Sequence, residues 1–128
     1  MWIKLPRDLV DRIHDRMIDI SGGSYGVLNS GNIDSALSSP LASFGGVDLY
    51  DTDLKKCCKL FHAIVSNHGY VDGNKRVGLF LFILSLELCD INTDGITYTD
   101  AEKLATSIAE GRATVDGVYE IISDITGV

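Results

Sequence analysis

The sequence predicts an all-α domain packed around one central buried helix at about residues 74–89, with a short β-hairpin flap near 40–50. Apolar residues recur at helical spacing in most segments, which is typical of amphipathic helices. The stretch "VGLFLFILSL", residues 77–86, is apolar nearly all round and is therefore expected in the core. At 128 residues and 45% hydrophobic composition, we interpret residues 1–128 as a single domain with one core.

The first part of the chain predicts two helices and the hairpin. Pro6 is favourable in the first turn of a helix. That helix carries an apolar face made by Leu9, Val10, Ile13, Met17 and Ile20. The glycine-rich "SGGSYGVLNSGN" ends it, and "IDSALSS" is a short helix that stops before Pro40. Gly-Gly within "LASFGGVDLYD" indicates the hairpin.

The second part predicts four helices. The first, "DTDLKKCCKLFHAIVSN", has an apolar stripe of Leu54, Cys58, Phe61 and Val65. We expect Gly69 to end it in the left-handed conformation. The central helix follows, and a capping box of Thr99 and Glu102 predicts the start of the next helix, which runs to Gly111. The last helix is expected from about Val115 to Ile125.

Composition and charge restrict the function classes. The net charge of −7 argues against direct nucleic-acid binding, which requires a clustered basic face. The longest apolar run is about half the roughly 20 residues that a membrane span needs, and the N-terminus is too charged for a secretory signal. Of the three cysteines, none has zinc-site spacing, and Cys58 and Cys89 are interpreted as core residues. We therefore expect a cytoplasmic protein without a membrane anchor.

The stretch "HGYVDGNKR", residues 68–76, concentrates polar and flexible residues at the start of the central helix. The first amides of a helix have no internal partners and carry the positive end of its dipole, so they bind anions. Gly73 lets a phosphate approach closely, and Asn74 is able to cap the helix or bond the loop. Lys75 and Arg76 add positive charge at the same point. This pattern predicts a phosphate site.

Two further residues of the stretch suggest catalysis. Asp72 immediately precedes the anion site and is placed to hold Mg²⁺ that bridges phosphate oxygens. His68 is a histidine, the residue type suited to remove a proton from an incoming hydroxyl near neutral pH. Taken singly, each has a structural alternative: a helix-end histidine is commonly a cap, and Asp-Gly-Asn is a common turn. The functional interpretation depends on their convergence at one helix start.

This stretch resembles the signature of the Fic/Doc superfamily, H-x-F-x-[D/E]-G-N-x-R. It is closest to the death-on-curing (Doc) branch, in which lysine follows the asparagine. The matching residues are His68, Asp72, Gly73, Asn74, Lys75 and Arg76. Tyr70 replaces the usual phenylalanine, and Gly69 replaces the commoner proline. The resemblance extends over most of the chain, from "HD" (His14, Asp15) through "IDSAL" and the motif to two closing helices.

The resemblance implies transfer of part of a nucleotide to a protein hydroxyl. The Fic branch transfers AMP, but it has glycine where this chain has Lys75 and a second arginine where this chain has Leu79. Both departures match the Doc branch, whose toxins phosphorylate a translation elongation factor. The resemblance therefore implies a toxin–antitoxin system, with a protein kinase that uses ATP and Mg²⁺, a cognate antitoxin as partner, and a flap at 40–50 that docks the target.

The implied roles divide the six matching residues. Catalytic roles fall to His68, Lys75 and Arg76, nucleotide binding to Gly73, Asn74, Lys75 and Arg76, and the metal to Asp72. AMP transfer and a non-catalytic nucleotide- or protein-binding module remain alternatives, and a metal-dependent nuclease is least favoured. "TSIAEG", residues 106–111, resembles the inhibitory helix of some Fic proteins, but Leu79 offers its glutamate no partner. Glu110 is thus expected as an exposed helix end. His14 either supports the fold from the first helix or lies near the site, and the structural role is favoured.

Overall fold

The computed structural model describes residues 1–128 and is helical apart from two short strands. The helices are α1 (Arg7–Ser21), α2 (Ser30–Ser38), α3 (Asp53–Ser66), α4 (Asn74–Leu88), α5 (Tyr98–Ala109) and α6 (Val115–Thr126). A 3-10 turn over Ser39–Leu41 follows α2, and strands β1 (Ser43–Phe44) and β2 (Val47–Asp48) precede α3. This confirms the predicted fold class. None of the six helices is both long and apolar enough to cross a membrane.

The hairpin forms where Gly-Gly predicted it. Its strands pair antiparallel, with Ser43 opposite Asp48 and Phe44 opposite Val47. Gly45 and Gly46 have φ of 58° and 80°, and two consecutive positive φ angles are what a tight two-residue hairpin turn requires. Phe44 is 82% exposed, so the hairpin projects from the core.

Helices α3 and α4 pack side by side at the centre of the molecule. The Phe61 and Phe82 rings stack across them at 4.5 Å between centroids. Gly78 permits the close approach, because a Cβ there would lie 2.5 Å from a Val65 methyl. On one side the pair shares a core with α5 and α6, and on the other side with α1 and α2. Every residue of the predicted α3 stripe is buried, so α3 shares the central position with α4.

Two local predictions about helix ends are wrong. Thr97, not Thr99, caps α5: its hydroxyl accepts the Asp100 amide at 3.1 Å. Thr97 has extended backbone, whereas Thr99 is already within the helix, so the Thr99 and Glu102 pair cannot form the box. The left-handed residue after α3 is His68 (φ 51°) and not Gly69.

Two predicted core positions also differ in the structure. Ile20 is 77% exposed, because α1 buries Val10, His14 and Ile18, a face rotated away from the predicted one. Cys89 is only partly buried at the end of α4, whereas Cys58 is fully buried. In α1, packing against α2 and α4, rather than the local pattern, selects the buried face.

Candidate active site

The loop between α3 and α4 carries the predicted motif and is held from both sides. The Asn74 side chain bonds Tyr70 twice: its Oδ1 accepts the Tyr70 amide at 3.0 Å, and its Nδ2 donates to the Tyr70 carbonyl at 2.9 Å. From the glycine-rich segment after α1, the Gly26 carbonyl accepts the Val71 amide at 3.0 Å. Asn74 therefore bonds the loop with its side chain, and its backbone amide is the group left for an anion.

The first helix supports the loop from beneath through His14. This histidine is buried, and its Nε2 donates to the Asp72 carbonyl at 2.7 Å. The His14 ring stacks on the Tyr70 ring with 3.9 Å between centroids, and the Tyr70 hydroxyl donates to an Asp11 carboxylate oxygen at 2.6 Å. Burial, followed by the Asp11 bond, raises the pKa of Tyr70, which stays protonated as a donor. His14 is therefore buried within the fold and also lies directly against the site, so the structure combines the two roles that the sequence offered as alternatives.

Helix α4 begins without a side-chain cap. Its N-cap is Gly73, in the left-handed region at φ 84°. In contrast, α2, α3, α5 and α6 each begin with a side-chain oxygen that accepts a first-turn amide, from Asn29, Thr52, Thr97 and Thr114. The first-turn amides of α4 remain open, and such amides are suited to bind an anion.

Asp72 is held at that helix start by backbone amides. Gly73 N–H donates to its Oδ1 at 2.7 Å, and Ser24 N–H donates to its Oδ2 at 3.0 Å. These bonds, from Ser24 first and then Gly73, lower the pKa of the Asp72 carboxyl, with the Arg76 guanidinium 3.7 Å away contributing less. The carboxylate is therefore ionised at neutral pH, and its remaining lone pairs are available to a cation.

All six predicted site residues line one open pocket of about 250 Å³. They are His68, Asp72, Gly73, Asn74, Lys75 and Arg76, with Val65, Val71 and Ala109 completing the wall. His68 and Lys75 are exposed, and Lys75 has no acidic partner within ion-pair distance. The pocket therefore combines a candidate base, a carboxylate, open amides and a free cation.

The donor set fits a magnesium ion that is held together with phosphates. No group of three or more His, Cys, Asp or Glu side chains is arranged to hold a metal by itself. Mg²⁺ keeps several waters and takes one or two carboxylates plus substrate phosphate oxygens, rather than a complete protein cage. Asp72, partly exposed and ionised beside the open amides of α4, is a suitable carboxylate for that arrangement.

Sequence reasoning did not identify one part of the site, the segment after α1. Ser21 Oγ and the Gly22 carbonyl accept Arg76 Nη1 at 2.6 and 2.7 Å, and Ser24 bonds Asp72. The signal was present as "SGGS", but glycines and serines after a helix are also an ordinary break. A helix break by itself does not reveal which distant residues it contacts.

Glu110 and Leu79 are not among the residues that line the pocket. Glu110 is exposed at the end of α5 and accepts two bonds from Arg112, at 2.9 and 2.5 Å. Leu79 is partly buried against the core shared with α5 and α6. Gly111 follows α5 in the left-handed region at φ 75°, as an ordinary helix stop.

Comparison with known proteins agrees with this geometry. The sequence profile described as the Fic/DOC family matches residues 4–86, which include α1 to α3, the motif loop and most of α4. A relative named Toxin Doc, from Mycolicibacterium smegmatis, is 32% identical over 103 residues, covering 76% of this chain and 75% of that protein. With its signature residues gathered around one pocket, its helical fold and a profile match over well more than half its length, the chain belongs to the Fic/DOC family.

Proposed function

We propose that this chain is a Doc-like toxin of a toxin–antitoxin system, acting in the cytoplasm as an ATP- and Mg²⁺-dependent protein kinase. It transfers the γ-phosphate to a Ser or Thr hydroxyl of a translation factor, and a cognate antitoxin protein restrains it. One observation supports this most directly: the six signature residues line a single open pocket at the uncapped start of α4.

The residues of the pocket have different roles in the transfer. His68 takes the proton as the target hydroxyl oxygen forms a bond to the γ-phosphorus, and the bond from that phosphorus to the β,γ-bridging oxygen breaks to release ADP. Asp72 supplies a carboxylate for Mg²⁺, which neutralises phosphate charge when bound. Gly73 has no side chain to block the phosphate, and the first-turn amides of α4 from Asn74 onward, together with Lys75 and Arg76, stabilise the charge that develops on the transferred group.

Transfer of the γ-phosphate, rather than of AMP, is favoured by two positions. A second arginine clamp is missing at Leu79, which packs against the core instead of entering the pocket. Lys75 stands exposed at the helix start, where the AMP-transferring branch has glycine. AMP transfer is the alternative reaction at this site.

The experiment that tests this proposal measures the transfer of labelled phosphate from ATP to protein. The purified protein and Mg²⁺ are incubated with a translation-factor fraction and with ATP labelled on either the γ- or the α-phosphate. We expect transfer from the γ position only, and its loss in His68→Ala and Asp72→Asn. Asp94→Asn is the matched control, because Asp94 also precedes a glycine in an exposed turn but lies outside the pocket.

The other outcomes separate the alternatives. Label from the α position would make the chain an AMP transferase. Full-rate transfer by both His68→Ala and Asp72→Asn would refute the assigned roles. No transfer by the parent protein, with nucleotide binding that survives both substitutions, would favour a non-catalytic binding module.

A further inference from the structure

The four-residue segment Ser21–Ser24, at the end of α1, contacts the candidate active site across a large separation in the sequence. Ser21 Oγ donates its hydrogen to the Met17 carbonyl at 2.7 Å, so the lone pairs of Ser21 Oγ remain to accept a hydrogen bond. Arg76 Nη1 donates to Ser21 Oγ at 2.6 Å and to the Gly22 carbonyl at 2.7 Å. Both N–H groups of Nη1 are thereby used, so Nε and Nη2 are the donors that Arg76 retains for a phosphate.

The same segment fixes the neighbouring carboxylate. The Ser24 amide donates to Asp72 Oδ2 at 3.0 Å, and this hydrogen bond restricts rotation of the carboxylate. Arg76 Nη2 lies 3.7 Å from Asp72 Oδ1, so the segment holds both members of this ion pair at once. One member is the proposed metal ligand and the other is a proposed phosphate ligand.

Gly23 allows the segment to lie this close. A Cβ at Gly23 would stand 2.5 Å from Asp72 Oδ2, 2.8 Å from Arg76 Nη2 and 3.1 Å from Ile18 Cδ1. A side chain there displaces either the segment or the two charged groups. Its φ of 117° also favours glycine.

We propose that Ser21–Ser24 is a positioning element of the active site, which holds the Asp72 carboxylate and the Arg76 guanidinium in the arrangement that binds magnesium nucleotide. Ser21 and Gly23 are its positioning residues. Neither takes part in the bond-breaking step, and both act through Asp72 and Arg76. The inference rests on the proposed function, since it concerns affinity for the same nucleotide.

The first test compares Gly23→Ala with Gly127→Ala. Both glycines have positive φ, 117° and 76°, so alanine introduces backbone strain at each. A Cβ at Gly127, which ends α6 outside the pocket, would meet no atom within 4 Å, whereas Gly23 faces the charged pair. Binding of Mg²⁺–ATP is measured by calorimetry, with a thermal melt of each variant to show that it is folded. We expect Gly127→Ala to bind as the parent protein does and Gly23→Ala to bind about 10- to 100-fold more weakly, the loss typical when a partner that orients a metal ligand is disturbed.

The second test removes one hydroxyl without changing the backbone. Ser21→Ala deletes the Arg76 acceptor, and Ser21→Thr keeps it. Ser66→Ala is the matched control, because Ser66 is the last residue of α3 and its hydroxyl donates to the His62 carbonyl at the same 2.7 Å, with no bond to Arg76. Motion of the Arg76 guanidinium is followed by ¹⁵N NMR, together with KM for Mg²⁺–ATP and kcat. We expect a mobile guanidinium and a raised KM in Ser21→Ala, and parent-like values in Ser21→Thr and Ser66→Ala.

The outcomes distinguish this inference from the proposed function. If the parent protein binds no Mg²⁺–ATP, both are overturned. If the parent binds it and the Gly23 and Ser21 variants bind equally well, the inference alone is overturned. It is also overturned if the Arg76 guanidinium is as immobile in Ser21→Ala as in the parent protein.

Discussion

At the scale of single residues, the candidate base His68 has an unfavourable backbone conformation. His68 has φ of 51°, and the other non-glycine residue with positive φ is Asp90, at 59°. A left-handed conformation costs roughly 1–2 kcal/mol for a residue with a Cβ. The strained conformation of His68 falls where the proposed chemistry needs an imidazole, whereas Asp90 only follows the end of α4.

Replacement of His68 by glycine should therefore separate stability from activity. We expect His68→Gly to leave the free energy of unfolding unchanged or to raise it by up to about 1 kcal/mol, since relief of the left-handed strain exceeds the added chain entropy. Phosphate transfer should be abolished. Urea unfolding and the labelled-ATP assay measure the two effects. Asp90→Gly is the control, with a similar change in stability and full transfer; a clear loss of stability in His68→Gly would show that its side chain packs usefully.

At the scale of elements, α3 organises the closing helices as well as the motif loop. His62, near the end of α3, donates from Nε2 to the Ala113 carbonyl at 3.0 Å and so ties the α5–α6 connection to the centre. Burial lowers the pKa of His62, and the bond to Ala113 opposes that change only in part. The neutral form is therefore favoured in the folded protein.

This shift predicts a pH dependence of stability. A histidine with a lowered folded pKa binds its proton more readily when the chain is unfolded. The stability it contributes is complete above the unfolded pKa near 6.5 and falls as the pH drops below that value toward the folded pKa. We expect His62→Gln, whose amide is able to donate to Ala113 without titrating, to lose less stability than the parent between pH 7.5 and pH 5.5. Urea unfolding at both pH values measures this, and equal losses would contradict it.

At the scale of the whole molecule, the helices α3 and α4 that join at the candidate site depend on residues beyond the family match. The match ends at residue 86, within α4. The core on one side of α3 and α4 is completed by Leu104 and Ile108 from α5 and by Val118 and Ile122 from α6. Both α6 residues are fully buried. The closing helices are therefore part of the same folding unit as the motif.

Truncation after Gly111 should consequently prevent folding, although it spares every residue of the pocket. Loss of the Ile122 side chain alone is worth about 2–5 kcal/mol, a large part of the roughly 5–15 kcal/mol that stabilises a domain. We expect the truncated chain to lack a cooperative thermal transition and dispersed amide NMR signals. Removal of exposed Val128 alone is the control and should change neither. A cooperative transition in the truncated chain would show that α6 is dispensable.

The sequence by itself determined the helical class and the proximity of the six candidate site residues. Apolar periodicity and the buried run at 77–86 are local signals, and they correctly indicated α3 and α4. The six site residues lie within nine positions that join these two helices. Any chain that forms the helix–loop–helix must therefore bring them together, because the separation is too short for them to part.

Only the tertiary structure decided which distant residues hold those candidate site residues. Asp72 receives an amide from Ser24, Arg76 is anchored on Ser21, and the Asp72 carbonyl rests on His14, all more than 45 positions away in the sequence. Gly69 serves packing rather than the left-handed turn, which falls at His68, since a Cβ at Gly69 would lie 2.3 Å from Ile33 Cγ1. Such contacts depend on how α1 and α2 pack against the α3–α4 pair, and local periodicity carries no information about that placement.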